Sequence, residues 1–265
     1  MLEYRYMNSK TKYVIGNWKM EPRTAVEARA LFLSIKKQSS RIKNTSIIIC
    51  PPAIFLGDLQ MAHSGNKISI GAQNVFWENP SSGRGAFTGE ISANQLIDSS
   101  VEYVIVGHSE RRALGETNEI VAEKLHTIVE AKLTPILCIG ERLRDEEGEY
   151  LSFIKEQIET ALRDVPHNKI KNIIIAYEPV WAIGRGDDAM GPKDMHEVSL
   201  YIHKILVSMF GKKIASGVDV VYGGSVERSN AEELIKGGEI SGFLVGHASL
   251  YADHFIDIVK IVDNS

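Results

Sequence analysis

Cysteine is scarce in this sequence: the 265 residues include only Cys50 and Cys138. Each lies inside an apolar run, SIIIC and ILCIG, which favours two reduced core residues of a cytoplasmic protein over a disulfide pair. Long apolar stretches are lacking as well. No run is long enough to span a bilayer and the N-terminal residues contain no apolar signal core, so the sequence predicts no membrane association.

Charge of one sign is not in large excess. The 30 basic and 34 acidic residues give a formal net charge of −4 at pH 7. So mild a charge argues against nucleic acid as a partner, but it allows a small anionic substrate because the local field matters more than the total. A Walker-type GK[ST] motif is also absent, so nucleotide hydrolysis is not supported.

Most of the histidines lack the spacing of metal ligands. Apart from two considered below, they are His63, His126, His167, His196, His203 and His254. Because these six are scattered along the chain, the sequence predicts that they are surface residues and that there is no metal site.

Short apolar runs rich in β-branched residues recur from one end of the chain to the other. There are eight of them: Tyr13–Gly16, Ser46–Cys50, Lys67–Gly71, Val101–Gly107, Pro135–Gly140, Asn172–Tyr177, Asp219–Tyr222 and Gly242–Gly246. Nearly continuous apolar runs of this length are typical of parallel strands that are buried on both faces.

Segments with helical periodicity lie between these runs. The clearer ones are Thr24–Gln38, Asn118–Ala131, Tyr150–Leu162 and Asp194–Met209, and the weaker ones are Asn94–Ile97, Asn230–Lys236 and His254–Val262. Asn118 and Asn230 stand where N-caps are expected, and Gly237 where a C-cap is expected.

Eight strands that alternate with helices predict an α/β protein with a single (β/α)8 barrel domain over residues 1–265. Residues 1–10 are expected to form a flexible N-terminal extension. An open doubly wound sheet is the alternative, but it would normally carry a GxGxxG motif after its first strand, where NWKM stands instead.

Polar residues with acid/base chemistry follow several of the predicted strands. Asn17 and Lys19 come after the first strand, His108 after the fourth and Glu178 after the sixth, and glycine-containing turns follow the seventh and eighth. The active site of a (β/α)8 barrel lies at the carboxyl ends of its strands, so these side chains are expected to share one rim. Such a set suits proton transfer next to a carbonyl group.

Six motifs extend this pattern over nearly the whole chain. They are VIGNWKM (14–20), GAFTGEIS (85–92), VGHSERR (106–112), AYEPVWAIG (176–184), YGGSV (222–226) and LVG followed by ASL (244–250). In their order and spacing they resemble the triosephosphate isomerase family, whose fold is the TIM barrel. The resemblance implies a homodimer without a cofactor that interconverts glyceraldehyde 3-phosphate and dihydroxyacetone phosphate through an enediol(ate).

The resemblance assigns a role to each residue of the rim. Glu178 is the base that moves a proton between C1 and C2, and a neutral His108 donates a hydrogen bond to the carbonyl or enediolate oxygen. Its place at a helix N-terminus disfavours the cationic form of the imidazole. Lys19 supplies a fixed positive charge, Asn17 a neutral hydrogen bond to the same oxygen, and Glu110 orients Lys19.

Phosphate binding, a lid and a subunit contact are implied in the same way. The phosphate is expected to meet backbone N–H groups where no Cβ intrudes, at Gly184, Ser225, Gly246 and His247. Pro179–Gly186 resembles a closing lid, in which Trp181 holds the lid in place and Ile183 covers the base. Thr88 corresponds to a position that helps to complete the active site of the partner subunit.

Three features depart from the family's pattern. Arg185 and Asp187 replace the usual threonine and lysine of the lid, His247 replaces the second glycine of a Gly-Gly pair, and Val75–Arg84 is longer than usual. A paralogue with the same chemistry on a four-carbon ketose phosphate, such as erythrulose phosphate, would show changes of this kind. A non-catalytic phosphosugar-binding barrel is a third alternative.

Overall fold

Eight parallel strands close into a barrel in the computed structural model, and the first strand pairs with both the second and the eighth. The structure describes residues 11–63, 65, 67–78, 85–184 and 190–265. The predicted N-terminal extension, residues 1–10, therefore lies outside the described residues. The prediction of a single (β/α)8 barrel is confirmed, and the open sheet is excluded.

The strands begin and end within two residues of their predicted bounds. They are β1 (Lys12–Asn17), β2 (Thr45–Cys50), β3 (Ile68–Ala72), β4 (Tyr103–Val106), β5 (Thr134–Ile139), β6 (Ile174–Tyr177), β7 (Asp219–Tyr222) and β8 (Gly242–Val245). Each is paired in parallel with its neighbours, so all eight carboxyl ends lie on the same rim.

Helices connect the strands over the described part of the chain. They are α1 (Ala25–Gln38), α2 (Leu56–Ala62), α3 (Ala93–Asp98), α4 (Ser109–Ala113), α5 (Asn118–Glu130), α6 (Glu149–Leu162), α7 (Pro192–Phe210), α8 (Lys212–Ala215), α9 (Ala231–Gly237) and α10 (Ala252–Asp263). Short 3₁₀ turns cover Ser39–Arg41, Ala53–Phe55, Ile170–Asn172, Val180–Ala182 and His247–Leu250. The sequence did not predict α2, α4 and α8, since helices of four to seven residues show a period of 3.6 weakly or not at all.

Two of the predicted caps are displaced by one residue. The N-cap of α5 is Thr117, whose hydroxyl accepts from the backbone N–H of Ile120, and Asn118 is the first helical residue. Gly237 is the last residue of α9, and Gly238 follows it as the C-cap. Asn230 is at the predicted N-cap position, but its Oδ1 accepts from the N–H of Glu227 and so braces the preceding turn.

The hydrophobic core has two layers because alternate residues of each strand face opposite ways. One layer fills the barrel with buried side chains from neighbouring strands: Ile15, Ile48, Cys50, Ile105, Ile136, Cys138, Ile174, Ala176, Val221 and Leu244. The other lies between the strands and the helices. Burial on both sides explains the continuous apolar runs, and the two unpaired, buried cysteines confirm the prediction of reduced core residues.

The outer surface carries the six scattered histidines, each of which is exposed or half-buried as predicted. Within the described ranges, no three His, Cys, Asp or Glu side chains are grouped so that they could hold a metal ion. The helices of the described part include none that is both long and apolar enough to cross a membrane.

Candidate active site

The carboxyl ends of β1, β4 and β6 bring the predicted polar residues together. The Nζ of Lys19 lies 2.5 Å from Oε1 of Glu110, and Nε2 of His108 lies 3.2 Å from Oε1 of Glu178. Asn17 is buried at the end of β1, and its Oδ1 accepts from the N–H of Lys19 at 3.0 Å. The structure thus brings all five predicted catalytic residues together at the carboxyl-end rim of the barrel.

Glu178 is only 3% exposed although it directly follows β6. Its N–H donates to the carbonyl of Ile139 at 2.7 Å. Glycines on both neighbouring strands leave room for it: a Cβ at Gly140 would come within 1.9 Å of the Glu178 carbonyl oxygen, and one at Gly223 within 2.8 Å of its Cγ. The close approach of these two glycines therefore restricts the position of the Glu178 backbone and of its Cγ atom.

The carboxylate of Glu178 faces the residues that follow β4 and accepts a hydrogen bond from one of them. Its Oε2 accepts from the N–H of Ser109 at 3.1 Å, and its Oε1 faces the imidazole of His108. The Nδ1 of His108 accepts from the N–H of Glu110 at 3.2 Å, so this nitrogen carries no proton. The hydrogen-bond pattern therefore assigns the single proton of a neutral imidazole to Nε2, the atom that faces Glu178.

Lys19 is held in an unusual backbone conformation. Its φ of 52° lies in the left-handed region, which few residues other than glycine adopt. The side-chain amide of Gln73 donates to the carbonyl of Lys19 at 2.8 Å and to that of Cys50 at 2.9 Å. Gln73, which directly follows β3, was missed by the sequence analysis; its place at a strand's carboxyl end is the signal that could have identified it.

Cys138 is a second residue whose neighbourhood the sequence did not reveal. Burial, and then the negative charge of nearby Glu178, raise the pKa of its thiol well above the usual value. Cys138 therefore stays protonated beside the carboxylate. Only the closure of the barrel shows that this core residue touches the proposed base.

The glycine-rich turns after β7 and β8 lie at the same rim. A Cβ at Gly224 would come within 2.2 Å of the Tyr222 hydroxyl, and one at Gly246 would lie 3.5 Å from Cε of Lys19. Ser225 follows Gly224, and its carbonyl accepts from the side-chain amide of Asn230 at 3.0 Å. The turn at Gly246 is thus packed against the aliphatic part of Lys19.

His247 does not turn its ring toward these residues. The residue is exposed, and its imidazole packs edge-on against the ring of Tyr251, with ring centroids 5.4 Å apart and an interplanar angle of 72°. Tyr251 in turn packs against His254. The departure from the family's Gly-Gly pair therefore adds an aromatic contact at the surface.

The segment that follows Glu178 is attached to the loop after β5. The indole N–H of Trp181 and the hydroxyl of Tyr177 donate to Oε1 of Glu141 at 2.8 and 2.9 Å, and the N–H of Val180 donates to the Glu141 carbonyl at 2.9 Å. Burial, and then the Glu141 carboxylate, raise the pKa of Tyr177 far above its usual value, so its hydroxyl remains a donor.

The predicted lid is described only in part. Pro179, Trp181, Ile183 and Gly184 lie within the described residues, and Gly184 has a φ of 77°. Arg185, Gly186 and Asp187 lie outside them, as do residues 79–84 of the longer loop. Thr88, in the segment leading to α3, is exposed on this chain.

A cavity of about 790 Å³ lies beside the barrel mouth, between α4 and α6. Glu178 and Ser109 line it, but Lys19 and Asn17 do not. We place the site of chemistry at the rim because the groups that could exchange protons converge there.

Comparisons with a family model and with individual known proteins all point to one family. The family model described as triosephosphate isomerase matches residues 12–262. Triosephosphate isomerase of Carboxydothermus hydrogenoformans is 42% identical over 94% of this chain and 97% of its own. Those of Lactiplantibacillus plantarum and Dictyoglomus turgidum are 38% and 40% identical, over 96% and 95% of this chain and 100% and 99% of their own.

Proposed function

The chain belongs to the triosephosphate isomerase family and is an isomerase that interconverts glyceraldehyde 3-phosphate and dihydroxyacetone phosphate; we propose that Glu178 is its catalytic base. One observation carries this assignment. Glu178 is the carboxylate at the carboxyl end of β6 that faces the N–H of a neutral imidazole, and its other oxygen is held by the N–H of Ser109. It is thereby positioned to take a proton from a carbon beside a carbonyl group.

In the proposed reaction, Glu178 removes a proton from C1 of dihydroxyacetone phosphate and returns it to C2. The electrons of the broken C–H bond form the C1–C2 double bond of the enediol(ate), and the carbonyl oxygen at C2 gains negative charge. The Nε2–H of His108 and the ammonium of Lys19 stabilise that oxygen, because fixed donors and charges are most effective where charge develops. That oxygen takes the proton of the C1 hydroxyl, and the C1 carbonyl forms as C2 receives its proton from Glu178. Asn17 adds a neutral hydrogen bond, and Glu110 holds Lys19 in place.

Phosphate binding is assigned to backbone N–H groups at Gly184, Ser225, Gly246 and His247. Their support is that the turns after β7 and β8 lie at the carboxyl-end rim and that the turn at Gly246 packs beside Lys19, whose charge attracts the phosphate dianion. We assign Pro179–Gly186 as the lid, with Trp181 held by Glu141 at its start and Ile183 as the cover over the base. A closed lid excludes water and so strengthens the interactions of Lys19 and His108.

The family supports a three-carbon substrate and does not favour the four-carbon alternative. The relatives at about 40% identity carry the triosephosphate isomerase name over nearly their whole length. Membership of a family of isomerases also favours catalysis over a non-catalytic phosphosugar-binding barrel. His247, one of the departures behind the four-carbon alternative, packs its ring on Tyr251 at the surface.

A substrate panel combined with variants of the base tests the proposal. The value of kcat/KM for glyceraldehyde 3-phosphate should exceed that for erythrulose 4-phosphate by at least about 100-fold, since a site shaped for the shorter chain must accept an extra carbon and hydroxyl. Glu178→Asp, which withdraws the carboxylate by one methylene, should lower kcat about 100-fold or more with little change in KM. Full activity of Glu178→Gln, which has no basic oxygen, would disprove the assignment.

We further propose that the enzyme is a homodimer. Met20, Ile54 and Leu114 are each more than 80% exposed, and Phe87 is also exposed. Met20 follows β1, Ile54 follows β2, Phe87 follows β3 and Leu114 follows β4. These are four consecutive strands of the barrel, so the four loops are neighbours. An apolar group of this kind on adjacent loops indicates a protein interface. Thr88 lies beside Phe87, and we assign it to the contact that completes the partner's active site.

A cytoplasmic location without a nucleic-acid partner completes the proposal. Cys50 and Cys138 are buried, unpaired thiols, as expected in a reducing compartment. The net charge of −4 gives no basic surface excess for a polyanion to bind.

A further inference from the structure

The loop between β5 and α6 contacts both ends of the segment that follows Glu178. At the near end, Glu141 accepts from the indole of Trp181 at 2.8 Å and from the N–H of Val180 at 2.9 Å. At the far end, Nη2 of Arg144 lies 3.6 Å from Oδ1 of Asp194, in the first turn of α7. Two residues only three positions apart therefore reach the start of the proposed lid and the helix into which it leads.

This loop is itself fixed to α6. The carboxylate of Asp145 accepts from the N–H groups of Glu149 and Tyr150 at 2.7 and 2.9 Å, and so caps the first turn of the helix. The guanidinium of Arg144 lies over the Tyr150 ring at 5.0 Å, and its Nη2 lies 3.5 Å from the Tyr150 hydroxyl. The ring contact holds the guanidinium at the place where it meets Asp194.

We propose that Arg144 is a positioning residue for the lid: it fixes the first turn of α7 relative to the loop that holds Trp181. The inference rests on the proposed role of Pro179–Gly186 as the lid. With Trp181 and the first turn of α7 attached to one loop, the start of the lid and the helix after it have fewer relative arrangements to lose when the substrate is covered, so covering it costs less free energy. Without Arg144 the far end gains freedom, and substrate and enediolate are covered less tightly.

A loosely covered enediolate has a side reaction that reports on the lid. Its electron pair can expel the phosphate at C3: the C3–O bond breaks, inorganic phosphate leaves, and the remaining enol rearranges to methylglyoxal. No oxidant and no added water are required, so atoms and electrons balance. Suppression of such losses is a function of a closed site. Phosphate released per turnover therefore measures lid closure separately from stability.

Arg144→Met and Arg142→Met form a matched pair of variants. Arg142 is exposed in the same loop and forms no ion pair within the described residues, so each change removes one guanidinium group from this loop. Arg144→Met should raise KM for glyceraldehyde 3-phosphate and phosphate release per turnover by about three- to tenfold each, as expected for a modest loss of positioning. Arg142→Met should leave both values within about twofold of the parent enzyme, within the usual range for an exposed surface change.

Asp194→Asn tests the same contact from the other side and keeps the inference testable if Arg144→Met folds poorly. It should reproduce the effects of Arg144→Met, and the double variant should be no worse than either single one, because both remove one interaction. Arg144→Lys, which keeps the charge, should recover part of the loss.

Ile183→Ala separates this inference from the assignment of the lid. If Ile183→Ala raises phosphate release while Arg144→Met and Asp194→Asn behave like Arg142→Met, the role of Arg144 is disproved and the lid stands. If Ile183→Ala also leaves phosphate release unchanged, the assignment of the lid is wrong, and the role of Arg144 falls with it.

Discussion

His108 and Glu178 face each other at the rim of the barrel: Nε2 of the imidazole lies 3.2 Å from Oε1 of the carboxylate. The proposed hydrogen-bond donor and the proposed base are thus neighbours. A substrate oxygen must take over the Nε2–H as it binds, which frees Oε1 of Glu178 to approach the carbon acid. In the proposed mechanism, the reacting atoms therefore lie beside this pair.

Replacement of His108 tests its role as the proton donor. His108→Gln removes the imidazole N–H from the developing enediolate oxygen, and kcat should fall about 100- to 1,000-fold, as for the loss of one preorganised donor. His126→Gln, a change of the same kind at an exposed position on α5, is the control and should leave kcat unchanged. Steady-state kinetics measure kcat for both variants. If the two values are equal, His108 is not the hydrogen-bond donor to the enediolate.

The ion pair between Lys19 and Glu110 is expected to act as a unit. Lys19→Met removes the fixed positive charge and should lower kcat/KM by about 100-fold or more, since the charge meets both phosphate and enediolate. Glu110→Gln leaves the charge but loosens its position, so a smaller loss is expected. Lys155→Met, at an exposed helix position, is the matched control. A loss in Glu110→Gln as large as in Lys19→Met would mean that Glu110 does more than orient the lysine.

Gly140→Ala should damage both stability and activity. The new Cβ would lie 1.9 Å from the carbonyl oxygen of Glu178, a contact that forces the backbone below the base to shift. The free energy of unfolding in urea should fall by about 1–3 kcal/mol or more, as for other overpacked sites. Gly57→Ala in α2, where nothing lies within 4 Å of the new Cβ, should be neutral or stabilise by up to about 1 kcal/mol.

The exposed apolar loops predict how the oligomer responds to charge. Met20→Lys or Leu114→Lys should convert a dimer into monomers in sedimentation experiments, because each buries an unpaired charge at the proposed interface. Leu143→Lys places the same charge at an equally exposed leucine on the loop after β5 and should leave the dimer intact. A parent enzyme that is monomeric at micromolar concentration would contradict the proposed interface.

Much of the fold could be predicted because parallel strands buried on both faces produce apolar runs that are visible in one dimension. The strand bounds confirm this, from Lys12–Asn17 to Gly242–Val245. Caps were less certain, since Thr117 and Asn118 are both good N-cap residues and only the backbone geometry decides between them. The very short helices left no periodic signal at all.

For the site, the sequence by itself determined which chemical groups stand at the ends of the strands: Asn17, Lys19, His108 and Glu178 follow from pattern and motif. The tertiary structure decided what surrounds them, and it did so because barrel closure joins residues far apart in the chain. It placed the Cys138 thiol near the negative charge of Glu178, bonded the Gln73 amide to the carbonyl of Lys19, and brought the loop of Glu141 and Arg144 against both Trp181 and α7. Such contacts depend on distances between elements, which no local sequence pattern encodes.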